Sequence, residues 1–215
     1  NFFKNNNCIG MAHIDRTDTY YKELHENRFL WHPCARPSSL NFSKMNTDRK
    51  FELLFAARVA HGKNPLLFNE IANDTISLTN GADMMGMCKK PKLEAMLERT
   101  RGNVERWESP FLANDLFSNP KYGFLWDVFE SLQHRIVMKR IGLTSLEAFG
   151  HGIMPIVNEN LIPDDLKGAF IHFEQHFSTS SDLKNSIILY ANNKESTIER
   201  SKEIISKSSF SYDCT

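Results

Sequence analysis

Two segments of the 215-residue sequence combine glycine with polar or charged side chains in a way that suits phosphate. The first, AARVAHGKN, holds Arg58 and Lys63 five positions apart, with Gly62 between them. Two cations at the end of a strand could hold a diphosphate and offset the charge that develops on a leaving nucleotide. This segment is therefore a candidate phosphate-binding loop.

The second segment, KRIGLTSLE, leads from a predicted strand into a predicted helix. A helix N-terminus presents unpaired backbone N–H groups and about half a unit of positive potential, and a glycine lets phosphate approach closely. The amides of Gly142, Leu143 and Thr144 are therefore candidate phosphate ligands. Glu147, one turn into the helix, has two oxygens that could accept hydrogen bonds from a ribose diol.

Both segments also have ordinary structural explanations. Thr144 and Glu147 have the spacing of a capping box, in which a Glu at the third helical position bonds back to the N-cap. Arg58 and Lys63, taken alone, could be solvated surface charges. Only the presence of both segments in one chain favours a ligand site over these explanations.

The elements that must position these segments follow from the hydrophobic pattern after Arg49. Apolar runs and helical spacing alternate, with short connections, which predicts a doubly wound, mostly parallel Rossmann-like α/β sheet. Ligands bind such sheets at the carboxyl ends of the strands. The predicted strands are 51–59, 75–82, 104–111, 134–139, 152–157 and 169–174, and the predicted helices are 64–74, 90–103, 119–132, 144–150, 182–192 and 197–209.

Residues 1–40 differ from the rest of the chain. They contain the apolar strand-like segment CIGMAHID, the helix-like TYYKELHEN and the extended RFLWHPCARP, and a linker rich in Pro, Ser and Asn covers 37–46. We place a domain boundary after residue 40, which gives domains at 1–40 and 41–215. The sequence begins without an initiator methionine or a signal peptide, so we expect it to start partway through a longer protein.

Composition limits the possible functions. Lys plus Arg and Asp plus Glu number 26 each, and this balance argues against a protein that coats nucleic acid. No apolar run approaches the roughly 18 residues of a membrane span. The four cysteines have no CxxC spacing, which predicts free thiols in a reducing, cytoplasmic compartment. His172 and His176 have the i, i+4 spacing of zinc helices, but they lie in a strand-like segment without a third ligand, so no metal site is expected.

With the two motifs in this order and spacing, the sequence resembles the C-terminal, donor-binding domain of GT-B glycosyltransferases of the large retaining class. AARVAHGKN matches the family's Arg and Lys after its first strand, and IGLTSLEAFGHGIMPIV matches its glycine loop, LEA helix and G-x-P-V-V strand. The tail ERSKEIISKSSFSYD is similar to the family's closing helix. The resemblance covers roughly residues 49–213.

The resemblance implies transfer of a sugar from a UDP-, GDP- or ADP-linked donor to an unidentified acceptor, without a metal or other cofactor. Arg58, Lys63 and the amides of 142–144 take the donor-phosphate roles, and Glu147 takes the ribose role. The family's first glutamate lies eight positions before its second, and that position is Lys139 here. A lysine there could bind phosphate or a sugar acid, or indicate lost catalysis.

The resemblance also implies a role for residues 1–40. They would be the end of an acceptor-side domain plus a linker, which places His13 near the cleft as a second candidate catalytic residue beside Lys139. Two alternatives remain open: a nucleotide-sugar epimerase of the same fold, and a non-catalytic nucleotide-sugar-binding domain. A nucleic acid acceptor is possible, but the neutral net charge gives it no support.

Overall fold

The computed structural model describes residues 10–13, 28–31, 42, 45–86, 88–100, 102–107, 113–128, 142–159, 162–173 and 180–208. The strands within these ranges are β1 Gly10–His13, β2 Arg28–Trp31, β3 Glu52–Ala56, β4 Ala82–Met85, β5 Val104–Trp107, β6 Tyr122–Asp127, β7 Met154–Asn158 and β8 Ile171–Phe173. The α-helices are α1 Pro65–Thr79, α2 Pro91–Arg99, α3 Ala113–Ser118, α4 Leu143–Gly150, α5 Ser180–Asn192 and α6 Lys194–Lys207. Short 3-10 helices cover His61–Lys63 and Asp164–Leu166.

The main sheet has six strands in the order β5-β4-β3-β6-β7-β8, and every neighbouring pair is parallel. Counted from β3 as the first strand, this is the order 3-2-1-4-5-6 of the doubly wound dinucleotide-binding fold. The predicted fold class is confirmed. The strand order reverses between β3 and β6, and ligands bind such folds outside the carboxyl ends of the two strands at this point.

The central strands are apolar because helices cover both of their faces. Leu53 and Phe55 point to the face covered by α1, where they pack in one core cluster with Phe68. Leu54 and Ala56 point to the opposite face and belong to a second cluster, which includes residues of α3 and α4. Strands covered on both faces read as continuous apolar runs, as β3 and β6 do.

Two of the predicted elements are wrong. Residues 75–79 continue α1 instead of starting a strand, and the hydroxyls of Thr75 and Thr79 donate to carbonyl oxygens four residues earlier in the helix. Residues 122–127, predicted as helix, form β6, in which every residue is buried. Periodicity cannot separate a short, fully buried strand from a buried helix, which explains the second error.

The other predicted elements fall on observed ones or outside the described residues. The predicted strand 134–139 and the helix-like segment TYYKELHEN lie outside them. The two extended segments of the first 40 residues appear as β1 and β2, which pair in parallel in a separate two-stranded sheet. The boundary after residue 40 stays a prediction. No helix in the described ranges is long and apolar enough to cross a membrane.

Arg49 ties together the polypeptide that leads into the sheet and the ends of α3 and α4. Its side chain is buried, at 7% exposure. The guanidinium donates to five backbone carbonyl oxygens, those of Asn46, Phe117, Asn119, Tyr122 and His151. The carbonyl of Phe117 lies in the last turn of α3, and that of His151 directly follows α4. These are carbonyls that a helix terminus leaves without intrahelical partners.

Candidate functional site

The loop after β3 carries the first pair of candidate residues along the carboxyl edge of the sheet. The N–H of Ala57 still donates to Met85 of β4, and Arg58 follows with an exposed side chain. The chain then forms the 3-10 helix that contains Lys63. Asn64, in the left-handed conformation with φ of 50°, turns the chain into α1. Arg58 and Lys63 therefore both lie on the loop that leaves the first strand at the point where the strand order reverses.

The loop after β6 begins and ends at residues that contact each other. Asp127 is the last residue of β6 and is buried. Its Oδ2 accepts the backbone N–H of Gly142 at 3.2 Å and the hydroxyl of Ser145 at 2.6 Å. Gly142 is the N-cap of α4, and a Cβ at this position would come within 2.5 Å of that same Oδ2. A side chain at this position would displace the Asp127 carboxylate, so Asp127 and Gly142 together place the start of α4 at the end of β6.

Asp127 also connects the two loops. The Nζ of Lys63 lies 3.5 Å from Asp127 Oδ1, with side-chain exposures of 34% for the lysine and 7% for the aspartate. This contact exists because β3 and β6 are neighbours in the sheet although about 70 residues separate them in the chain. The structure thus brings Lys63 and Gly142, predicted from separate segments, to opposite sides of one carboxylate.

Helix α4 places the remaining predicted residues in its first two turns. Leu143 and Thr144 are its first two residues, so their amides lie at the helix start, where intrahelical acceptors are lacking. Ser145 and Leu146 are fully buried, whereas Thr144 and Glu147 are half-buried and share one side of the helix. The capping-box alternative for Glu147 is wrong, because the N-cap is Gly142 and not Thr144.

Two predicted catalytic residues have no described side-chain position. Lys139 lies outside the described residues. His13 is the last residue of β1, and nothing about its side chain is described. The catalytic roles of both residues stay predictions, as do the ligand roles of Arg58 and Glu147.

Asp127 is the site residue that sequence reasoning misses. The pattern places it inside the predicted helix 119–132, where a single carboxylate would be an ordinary surface residue. The available signal is a carboxylate that ends the apolar run YGFLWD at strand length. Its meaning depends on β6 lying beside β3, which no local pattern shows.

In the described part of the chain no metal site is found, and a groove found there does not involve the predicted site residues. There, no three His, Cys, Asp or Glu side chains are placed to hold a metal ion. His172 is in β8, and His176 lies outside the described residues. Cys88 has its thiol 3.6 Å from the carbonyl of Lys90. A groove of about 540 Å³ between α1 and α2 has none of the predicted site residues in its lining.

No protein-family model and no curated protein matches this sequence. Solved structures share its fold. TarM from S. aureus, solved with fondaparinux, α-GlcNAc-glycerol and UDP, has a TM-score of 0.64 at 16% identity over 93% of this chain and 40% of TarM. The C-terminal domain of the glycosyl transferase group 1 protein LpcC from Francisella tularensis has a TM-score of 0.53 at 13% identity, over 83% of this chain and 94% of that domain.

The catalytic domain of starch synthase IV from Arabidopsis thaliana, bound to ADP and acarbose, has a TM-score of 0.53 at 12% identity, over 81% of this chain and 39% of that one. The chain therefore shares the Rossmann-like α/β fold of GT-B glycosyltransferase structures. It spans about two fifths of TarM but nearly all of the LpcC domain, so it is similar in extent to that single C-terminal domain.

Proposed function

We propose that the protein is a glycosyltransferase that moves a sugar from a nucleotide-diphosphate sugar to an acceptor, and that this chain binds the donor. One observation carries the proposal: at the point where the strand order reverses, the Lys63 ammonium and the N-terminus of α4 lie on either side of Asp127. A cation and a helix N-terminus at this place in the fold form an anion site of diphosphate character.

The donor diphosphate would be held by Arg58, Lys63 and the amides of Gly142, Leu143 and Thr144. Breaking the bond between the anomeric carbon and the phosphate oxygen leaves negative charge on the departing diphosphate. Cations and amides already in place stabilise that charge without reorganising, which lowers the barrier. Because these groups supply the positive charge, we propose that the transfer needs no metal and no other cofactor.

The nucleoside end of the donor would meet Glu147. A half-buried carboxylate in the second turn of α4 would accept hydrogen bonds from the two ribose hydroxyls. We propose a UDP-, GDP- or ADP-linked hexose as donor, supported by the nucleotides in the solved structures of similar fold, UDP for TarM and ADP for starch synthase IV. Lys139 and His13 are the proposed catalytic residues. From the cysteine pattern we also propose a cytoplasmic location.

Donor binding is tested by thermal shift with UDP-glucose, GDP-glucose, ADP-glucose and the matching free diphosphates. A ligand at 100 times its Kd should stabilise the folded protein by about 2.7 kcal/mol. One base should give a clearly larger shift than the other two. The absence of any shift with all of these nucleotides would contradict the proposal.

Turnover is tested in the whole protein with the donor that binds. Arg58→Ala and Lys63→Ala should each abolish sugar transfer while the melting temperature stays close to that of the wild type. Lys207→Ala is the matched control, since Lys207 pairs with Glu203 on the exposed side of α6 and should keep full activity. Unchanged activity in both site variants would overturn the proposal.

The same assay separates the alternatives. A nucleotide-sugar epimerase would convert or hydrolyse the donor without any acceptor. Donor binding with no turnover under any condition would instead indicate a non-catalytic nucleotide-sugar-binding domain, the outcome to which Lys139 in place of the family's glutamate points.

A further inference from the structure

Asp127 places a carboxylate beside the proposed diphosphate site, where positive charge would favour binding. A carboxylate close to a bound diphosphate repels it, and burying the carboxylate removes it from water. The repulsion opposes donor binding, and the burial opposes folding. Its three contacts supply a reason for its presence, because they reach two different elements: Lys63 on the loop after β3, and Gly142 with Ser145 at the start of α4.

We propose that Asp127 is a positioning residue for the donor diphosphate: it holds the Lys63 ammonium and the N-terminus of α4 in a fixed relation to each other. The proposal rests on the function proposed above and adds a residue to it. Asp127 acts through these two groups and does not itself contact the donor.

The geometry of the ion pair suits this role. The aspartate is nearly enclosed, at 7% exposure, whereas the lysine side chain is 34% exposed. The carboxylate is thus the more deeply buried partner of the ion pair. A lysine side chain is long and flexible, so an anchor that restricts it before the ligand arrives reduces the entropy lost on binding.

The other carboxylate oxygen orients the helix. Ser145 is fully buried and donates to Asp127 Oδ2, as does the N–H of Gly142, so the first turn of α4 is fixed at two points. The N–H groups and the positive end of a helix act only within its first turn, so a phosphate gains from them only if that turn is correctly placed. One carboxylate therefore aligns both halves of the anion site.

The sheet offers a matched control at its opposite edge. Asp83 of β4 is also buried and also pairs with a lysine, Lys121, while it accepts the Tyr122 hydroxyl at 2.6 Å. Tyr122 begins β6, whereas Asp127 ends it. The two carboxylates have similar burial and similar partners, but Asp83 lies near the start of β4, at the amino edge of the parallel sheet, whereas Asp127 ends β6 at the carboxyl edge.

The test is a double-mutant cycle in the full chain, with inorganic pyrophosphate as the probe and isothermal titration calorimetry as the measurement. The variants are Lys63→Met, Asp127→Asn, the two combined, and Asp83→Asn. We expect each of the first two to weaken pyrophosphate binding about tenfold, and the double variant to bind within about threefold of Lys63→Met alone, since residues in direct contact are not additive. Asp83→Asn should bind like the wild type.

The outcomes separate this proposal from the function on which it rests. If Lys63→Met weakens binding while Asp127→Asn binds as well as the wild type or more tightly, the positioning role is overturned and the diphosphate site stands. Equal losses from Asp127→Asn in both lysine backgrounds would also overturn it, because a general structural effect does not depend on Lys63. If the wild type binds neither pyrophosphate nor any nucleotide sugar, both proposals fail.

A second variant covers the case in which Asp127→Asn does not fold. Ser145→Ala removes only the 2.6 Å hydrogen bond to Oδ2 and keeps the carboxylate. We expect it to weaken pyrophosphate binding about threefold in both the wild-type and the Lys63→Met background, because this bond places α4 and not the lysine. Unchanged binding in both backgrounds would overturn the positioning of α4 by Asp127.

Discussion

Replacing Arg49 by methionine removes a buried charge that holds only backbone carbonyl oxygens. Its guanidinium donates five hydrogen bonds, two of them to the polypeptide at the ends of α3 and α4. Methionine has a similar length but no donors. The substitution therefore leaves these carbonyls without their partner while the site stays filled with a side chain.

The magnitude follows from two opposing contributions. Hydrogen bonds from a charged donor contribute at least about 1.5 kcal/mol each. The five contacts use four N–H groups, because the single Nε–H is shared between Asn46 and His151, so they amount to roughly 6 kcal/mol. Against this, burial lowers the pKa of Arg49 to about 10, which corresponds to about 3 kcal/mol of unfavourable environment for the charge. We therefore expect Arg49→Met to lower the free energy of unfolding by about 3 kcal/mol, a large effect for one substitution.

Urea denaturation at pH 7, followed by tryptophan fluorescence and circular dichroism, measures this change. Arg99→Met is the matched control, because Arg99 is exposed on α2 and its replacement should change the free energy of unfolding by less than about 0.5 kcal/mol. A loss below about 1 kcal/mol for Arg49→Met would refute the reasoning, since the five hydrogen bonds would then merely offset the cost of burial.

Two further predictions concern pH and the nucleoside. Burial, together with nearby cations, lowers the pKa of His172, whose Nε2 accepts the Gly168 N–H at 3.2 Å, a bond that the protonated ring cannot make. The unfolded chain then binds this proton more readily than the folded chain does. The contribution of His172 to stability is therefore fully present above the ordinary His pKa of about 6.5 and is lost as the pH falls below it. Melting temperatures from pH 7.5 to 5.5 should therefore fall less steeply for His172→Gln than for the wild type; equal slopes would contradict this. Glu147→Ala should weaken binding of the nucleoside diphosphate about tenfold by losing charged hydrogen bonds, and leave pyrophosphate binding unchanged. Glu195→Ala, on the exposed side of α6, is the control, and an equal loss for both probes would argue against a ribose contact.

Local patterns predicted the elements whose periodicity was long or clearly bounded. Helix α4 begins within one residue of its predicted start and ends where predicted, and α2 begins one residue after its predicted start. Strand β3 lies within a predicted apolar run, and β7 overlaps one. The segments 75–79 and 122–127 were assigned wrongly for the same reason. Both are short and apolar or β-branched, and whether such a segment becomes helix or strand depends on what covers it in the folded chain.

The sequence by itself determined the class of fold and the two candidate phosphate-binding segments. The spacing of Arg58 and Lys63 and the glycine before α4 are local features, so they were visible without a structure. Only the tertiary structure decided that the two segments meet, and through which residue. Asp127 joins Lys63 to Gly142 because β6 lies beside β3, and strand order is a property of the whole sheet that no single segment encodes.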